Sequence, residues 1–151
     1  MKPRELLALI ARIIVGAVLI YAGATKAAGP AEEFAYVISA YDFVPTGLTL
    51  PMAGLLPWIE LLLGWSLLLG LHTRAAAAAA GATFACFLLA LGSVVARGIP
   101  LPNCGCFGDG IHFTPGQAFF FDSTLVALCW AALREGAGTL SLDAWTDGRA
   151  Q

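Results

Sequence analysis

"ELLALIARIIVGAVLIYAGAT", residues Glu5 to Thr25, is an apolar run with a single interior charge, Arg12. A hydrocarbon core of roughly 30 Å takes about 20 residues of helix to cross, so this stretch reads as a membrane span. Three more spans come after it: Met52 to Leu71, Ala75 to Ala96 and Gln117 to Leu133. The last is short and needs little tilt, or cover from its neighbours. The first has a competing reading, because Lys2, Arg4 and the "AGA" at Ala22 to Ala24 imitate a secretory signal with its cleavage site. Arg12 interrupts what would be the core of such a signal, and three further spans are present in any case.

Composition agrees with the spans. The 151 residues are 59% hydrophobic and 12% charged, against roughly 25% charged in soluble domains, and the mean hydropathy is +0.81. The net charge of −2 and the lack of any basic run exclude nucleic acid as a partner. One domain over residues 1–134 is expected, all-α, an integral four-helix up-down bundle. The polar remainder, residues 135–151, "EGAGTLSLDAWTDGRAQ", reads as a mobile cytoplasmic tail.

Basic residues beside the spans set the orientation. With the N-terminus cytoplasmic, Lys2, Arg4, Arg74, Arg134 and Arg149 are inside, and Lys26 and Arg97 outside. Both termini are then cytoplasmic in a bacterial inner membrane, and the long connections Ala27 to Pro51 and Arg97 to Gly116 are external. The first connection holds Phe34, Val37, Ile38 and Tyr41 at i, i+3, i+4, i+7 after Gly29 and Pro30, with Glu32 and Glu33 in the opening turn. A short external amphipathic helix is expected there, ending before the extended "VPTG".

Small residues, Gly16 and Gly23 on the first span, Gly64 on the second and Ala75 to Gly81 on the third, suit close helix packing in lipid. Aromatics gather toward the external side: Trp58, Phe107, Phe113 and Phe119 to Phe121. An interfacial belt accounts for them; a flat apolar ligand such as a quinone would also favour such walls.

Three charges lie inside spans, where each costs at least about 2.5–3.5 kcal/mol unless it faces protein. Arg12 and Glu60 are expected to pair and pin the first two spans. The pair is either a register-setting contact or, with Glu60 as a proton relay, a functional one. Asp122, near the external end of the last span, is expected to meet Arg97 or the backbone of the second connection, as a loop anchor or a thiol's proton acceptor.

That second connection carries "PNCGCFGDGIHF", residues Pro102 to Phe113. A disulfide between Cys104 and Cys106 closes so few residues that it removes little chain entropy. Its strained ring belongs with the oxidising potentials of exchange chemistry. Gly105 and Gly108 supply backbone freedom. Cys104, Cys106, Asp109 and His112 could together ligate a metal, but no second cysteine pair supports that, and no metal is assigned. A structural loop is the third option. His112 would favour thiolate, and Asp109 would oppose it. Cys86 and Cys129 differ in depth by roughly 10 Å, which excludes a disulfide between them; both read as small buried apolar residues.

Three segments, "RIIVGAVLIYAGATKAAGPAEEF" (residues 12–34), "PWIELLLGWSLLLGLHTRAA" (57–76) and "NCGCFGD" (103–109), together resemble the methylamine utilisation protein MauE family, within the wider DoxX-like group of four-helix membrane proteins. The resemblance spans about residues 10–133. It implies a redox-associated membrane protein that helps mature the disulfide-rich small subunit of methylamine dehydrogenase beside a thioredoxin-like partner. Cys104, Cys106, Phe107 and Gly108 match the family's loop, and Arg12 and Glu60 its intramembrane charges.

The expected function is thus thiol–disulfide exchange through Cys104 and Cys106, with electrons passing to or from a thioredoxin-like protein, an exported disulfide-containing client or a quinone. Arg12, Glu60, Asp109, His112 and Asp122 are supporting residues. Two alternatives stand beside it: a small subunit of a quinone-linked oxidoreductase acting on sulfur compounds, and a non-enzymatic membrane scaffold for a maturation partner.

Overall fold

The computed structural model describes residues 3–99, 113–136, 140–146 and 148. The chain is all-helical there, in the order α1 (Pro3–Ala28), α2 (Ala31–Ala40), α3 (Thr46–Leu69), α4 (Thr73–Arg97), α5 (Pro115–Glu135) and α6 (Leu142–Thr146). Four of these, α1, α3, α4 and α5, are long and apolar enough to cross a membrane. Their outward faces carry Leu6, Ile10, Leu55, Leu62 and Leu89, all exposed, a surface that only lipid covers without penalty.

α1 and α3 form the closest pair. A Cβ placed on Gly23 would lie 2.7 Å from the Pro57 carbonyl oxygen, and one on Gly64 would lie 2.8 Å from the Gly16 carbonyl oxygen. Gly16 and Gly23 stand two turns apart on α1, as Pro57 and Gly64 do on α3, so the helices run antiparallel with backbone against backbone along both turns. In lipid such contact replaces the hydrophobic drive that water would supply. Gly81 on α4 differs, because an added Cβ would meet Cys129 Cβ at an ordinary 3.4 Å. The remaining core joins α5 to α4 and α1, with Leu125 and Cys129 in one buried cluster with Ala77, Ala80, Phe84, Val15 and Leu19.

α2 is the amphipathic helix expected from its spacing. Phe34 and Ala35 pack on Ala53 of α3 with Val37, Ile38 and Leu56 around them, while Tyr41 closes on Leu91 and Ala118 beside Phe113. Arg97, at the end of α4, donates to the Tyr41 and Asp42 carbonyl oxygens and pairs with the Asp42 carboxylate. "VPTG" is not an extended lead-in as far as Met52: Pro45 takes the N-cap position and α3 begins at Thr46. A proline there forfeits only a donor that the first turn leaves unpaired. α5 opens on a capping box, Gln117 N–H to Thr114 Oγ1 at 3.4 Å and Thr114 N–H to Gln117 Oε1 at 3.1 Å, with Pro115 next in the chain.

The described part of the tail is hydrogen-bonded to the bundle. Asp143 of α6 accepts from the His72 and Thr73 backbone N–H groups at 2.7 and 2.8 Å, so a carboxylate some 70 residues away in sequence caps α4. His72 itself has φ 46° and gives no side-chain cap. The Asp143 N–H returns a bond to the Gly70 carbonyl. Gly70 has φ +69°, and a Cβ on it would lie 2.5 Å from Ser141 Cβ. Only glycine suits both the left-handed turn and the docked tail.

Burial pushes the Asp143 carboxyl up, but the hydrogen bonds from Thr73 and His72 outweigh it and hold the group below the usual carboxylate range. Its lowered value means that the cap acts in full above the ordinary aspartate range and is lost as pH falls through the depressed value. Asp143→Ala should cost about 1 kcal/mol, as loss of a helix cap does, and should flatten the acid limb of the stability profile measured by thermal unfolding in detergent. Gly23→Ala should destabilise by about 1–3 kcal/mol through overpacking. Gly54→Ala, with nothing within 4 Å of the new atom, should be neutral or stabilising by up to about 1 kcal/mol; equal effects at the two positions would refute the close α1–α3 contact.

Candidate functional site

Cys104, Cys106, Asp109 and His112 lie outside the described residues, and the candidate site rests on the charges buried in the bundle. These do not pair as the sequence suggests. Glu60 takes both bonds from Lys26: Nζ is 2.6 Å from Oε1 and 2.9 Å from Oε2. The two side chains are 1% and 2% exposed. Lys26, expected as an external flank, is instead a buried residue of α1.

The different pairing arises from the direction of helical side chains, which lean toward the N-terminus of their own helix. α1 and α3 are antiparallel, so Lys26 leans back into the bundle while Glu60 leans toward the α2 end. The two converge. Arg12 leans the opposite way from Glu60, and the glycine register sets it level with the last turn of α3. There its Nε donates to the Leu67 carbonyl at 2.9 Å and its Nη2 to the Leu140 carbonyl at 2.8 Å. A guanidinium is well matched to the negative end of a helix. Arg12 therefore ties α1, α3 and the tail together and is not part of the Glu60 group.

Asp122 is the third member. It lies about two turns into α5, is buried, and is within electrostatic range of both Lys26 and Glu60. It does not meet Arg97, which is committed to Tyr41 and Asp42. Its Oδ2 is buried without a hydrogen-bond partner among the described residues. Three helices thus each contribute one charge to a single buried group at the α2 end. Two rings cover the ammonium: Lys26 Nζ is 5.3 Å from the Phe34 ring centre and 5.4 Å from that of Phe87, distances at which a desolvated cation is attracted by the ring face.

Phe34 and Phe87 also line a cavity of about 400 Å³ between α2, α3 and α4, together with Tyr41, Phe43, Met52 and Cys86. Of the aromatics singled out toward the external side, Trp58, Phe113 and Phe119 to Phe121 are not in its lining, and Phe107 lies outside the described residues. Trp58 and Phe120 point outward and are exposed, as belt residues do, and Phe113 packs on Phe121 with ring centres 5.4 Å apart. Cys86 is exposed and lines the cavity, which corrects the expectation of a buried apolar filler; Cys129 is buried in the core as expected, and both thiols are free. No group of three or more metal-ligating side chains occurs among the described residues.

Lys26 is legible in principle. The buried positions of α1, Ala8, Arg12, Val15, Leu19, Ala22 and Lys26, alternate by three and four, so Lys26 falls on the packing stripe and not beyond its end.

An apolar outer surface, four spans and charges turned inward define a small multi-pass membrane protein. The family described as methylamine utilisation protein MauE matches residues 4–134, and the chain belongs to that family. It is 36% identical over 99 residues to the methylamine utilization protein MauE of Methylophilus methylotrophus. The match covers 66% of this chain and 52% of that relative, so the chain spans about half the relative's length. No solved structure matches it.

Removing one partner of a buried ion pair leaves an uncompensated charge, at about 3–5 kcal/mol. Lys26→Met should therefore destabilise strongly in thermal unfolding, and Lys26→Met with Glu60→Gln should recover much of the loss. Full stability of the single variant would show that Glu60 does not depend on Lys26.

Proposed function

We propose that the chain is a membrane component of methylamine utilisation that carries out thiol–disulfide exchange through Cys104 and Cys106. It would assist maturation of an exported, disulfide-rich client, by resemblance the small subunit of methylamine dehydrogenase, beside a thioredoxin-like partner. In each exchange one thiolate attacks a disulfide of the partner and the second resolves the mixed disulfide. Two electrons then leave the pair with the partner's dithiol, or the same steps run in reverse.

The observation that carries this reading is the position of the pair in the chain. It lies in a connection outside the spans, bounded by the left-handed Gly98 cap of α4 and the Thr114 capping box of α5. Both boundaries are at the end of the bundle that holds the buried charge group. The burial of Lys26 sharpens the orientation argument. With it removed from the flanks, Arg4, Arg74 and Arg134 stand at one end of the spans and Arg97 at the other, which supports an external pair in an oxidising compartment.

Cys104→Ser and Cys106→Ser should each abolish client maturation and growth on methylamine while leaving the protein's level in the membrane unchanged. Normal maturation in either variant would sink the exchange mechanism. Labelling of intact cells with a membrane-impermeant maleimide should reach this pair, in a ratio of thiol to disulfide that tracks client load; a constant ratio would favour a scaffold role.

A further inference from the structure

The first turns of α1 project beyond the end of α3. Gly16 faces Gly64 and Leu68, and Gly23 faces Pro57 and Leu61. Carried one step further, this antiparallel register sets Arg12 level with Gly70, and a Cβ on Gly70 would lie 2.9 Å from Arg12 Nη2. Residues 3–11, about 13 Å of helix at 1.5 Å per residue, therefore extend past α3, and Leu6, Leu7 and Ile10 are exposed on them. All 26 residues of α1 make a helix about 39 Å long. That exceeds the roughly 30 Å hydrocarbon core and approaches the 40–45 Å that includes both headgroup layers, so an upright α1 carries its first turns into the headgroup layer.

α6 lies in the same layer. Asp143 accepts from the N–H groups that open α4 and gives its own N–H to the Gly70 carbonyl after α3, while the Leu140 carbonyl accepts from Arg12. The short helix is thus laid across the joined ends of α3 and α4. Its residues divide by side. Ala144 is buried and Asp143 half-buried, whereas Leu140, Leu142 and Trp145 are 61%, 38% and 73% exposed. Leu142 and Trp145, three residues apart, share one face of the helix. In water these side chains would forgo the burial that apolar surface favours. At the headgroup level a tryptophan meets both of its needs, an apolar setting for the ring and a wet one for its N–H.

We propose that α6 is a membrane-interface anchor, with Leu140, Leu142 and Trp145 inserted at the boundary of headgroups and acyl chains. Phospholipid is the occupant of this face, because the face continues the lipid-covered surface of Leu6, Leu7 and Ile10 at the same level. The helix is then held from two sides: Asp143 fastens it to α4, and the bilayer covers the opposite face. α6 thereby lies in the membrane surface, although the polarity of residues 135–151 alone would put it in the aqueous phase. The anchor stands whether or not Cys104 and Cys106 exchange electrons.

The test uses the full chain in nanodiscs, carrying Trp58→Phe, Trp65→Phe and Trp130→Phe at exposed positions so that Trp145 alone emits as tryptophan. Phospholipid with a nitroxide in the headgroup or high on the acyl chain should quench Trp145 strongly, and aqueous iodide should quench it weakly. Leu142→Gln should shift the emission to the red and raise the iodide quenching. A second measurement leaves every tryptophan but Trp145 in place: p-benzoylphenylalanine at position 145, photolysed in cell membranes, should form adducts with phospholipid, read by mass spectrometry. Strong quenching by iodide with none by the nitroxide lipids would put α6 in water. Cross-links from position 145 to a second copy of the chain, or to another protein, in place of lipid adducts would assign the face to a protein partner. Either result overturns the anchor.

Discussion

The backbone contact between α1 and α3 sets the level of the buried charges on which the chemistry of the bundle depends. Glycines at 16, 23 and 64 bring the two backbones together closely enough that their separation and register leave no room for adjustment. Pro57, opposite Gly23, has no N–H to present, and its carbonyl comes within reach of a Cβ that glycine lacks. Once this register is set, every polar side chain on the two facing stripes has a determined level. Arg12 falls beside the last turn of α3 and Lys26 beside Glu60. A helix pair held by bulky side chains could slide or rotate to pair Arg12 differently; one held by backbone contact cannot.

From that register the bundle divides into two ends with different chemistry. At the tail end the charges are spent on backbone. Arg12 serves carbonyls of α3 and the tail, and Asp143 serves N–H groups that open α4. Such contacts satisfy helix termini that would otherwise lie unpaired at the membrane boundary. At the α2 end the charges meet one another, and among the described residues the bonds do not close: a donor of Lys26 and an oxygen of Asp122 are left over. Burial without full satisfaction is costly in lipid, and these groups face the bundle interior.

Much of this is legible in the sequence, and the failures have identifiable causes. The four spans and α2 emerge from hydropathy and from the spacing of Phe34, Val37, Ile38 and Tyr41, because lipid makes those patterns nearly obligatory. The charges of Arg12, Glu60 and Asp122 stand out in their apolar surroundings, but height along the axis alone assigns them the wrong partners. Height omits the lean of helical side chains, which separates Arg12 from Glu60 and joins Lys26 to it. Lys26 looks like a flank because it ends an apolar run, although its spacing of seven residues from Leu19 and four from Ala22 places it on the packing stripe. Polarity makes the tail look mobile, and polarity does not reveal that Asp143 has two backbone donors to meet across the bundle. The cavity is invisible in the sequence, because Phe34 and Phe87 become neighbours only through the packing of α2 and α4.

The same asymmetry bears on how the two ends relate to the cysteine pair. Gly98 and Thr114, which bound the connection carrying Cys104 and Cys106, belong to helix ends at the α2 side, as do Arg97 and the Asp42 contact that fastens α2 to α4. That ion pair is exposed, and pairs of its kind contribute at most about 1 kcal/mol. α2 is therefore held chiefly by the apolar contacts of Phe34 and Ala35 with Ala53, and Phe34 is the residue that also covers Lys26 and lines the cavity. Any movement of α2 must change the cover of the ammonium and the shape of the cavity together, because one ring performs both tasks. The tail end has no comparable shared element among the described residues: its contacts fasten helix termini through backbone groups and can persist while α2 moves.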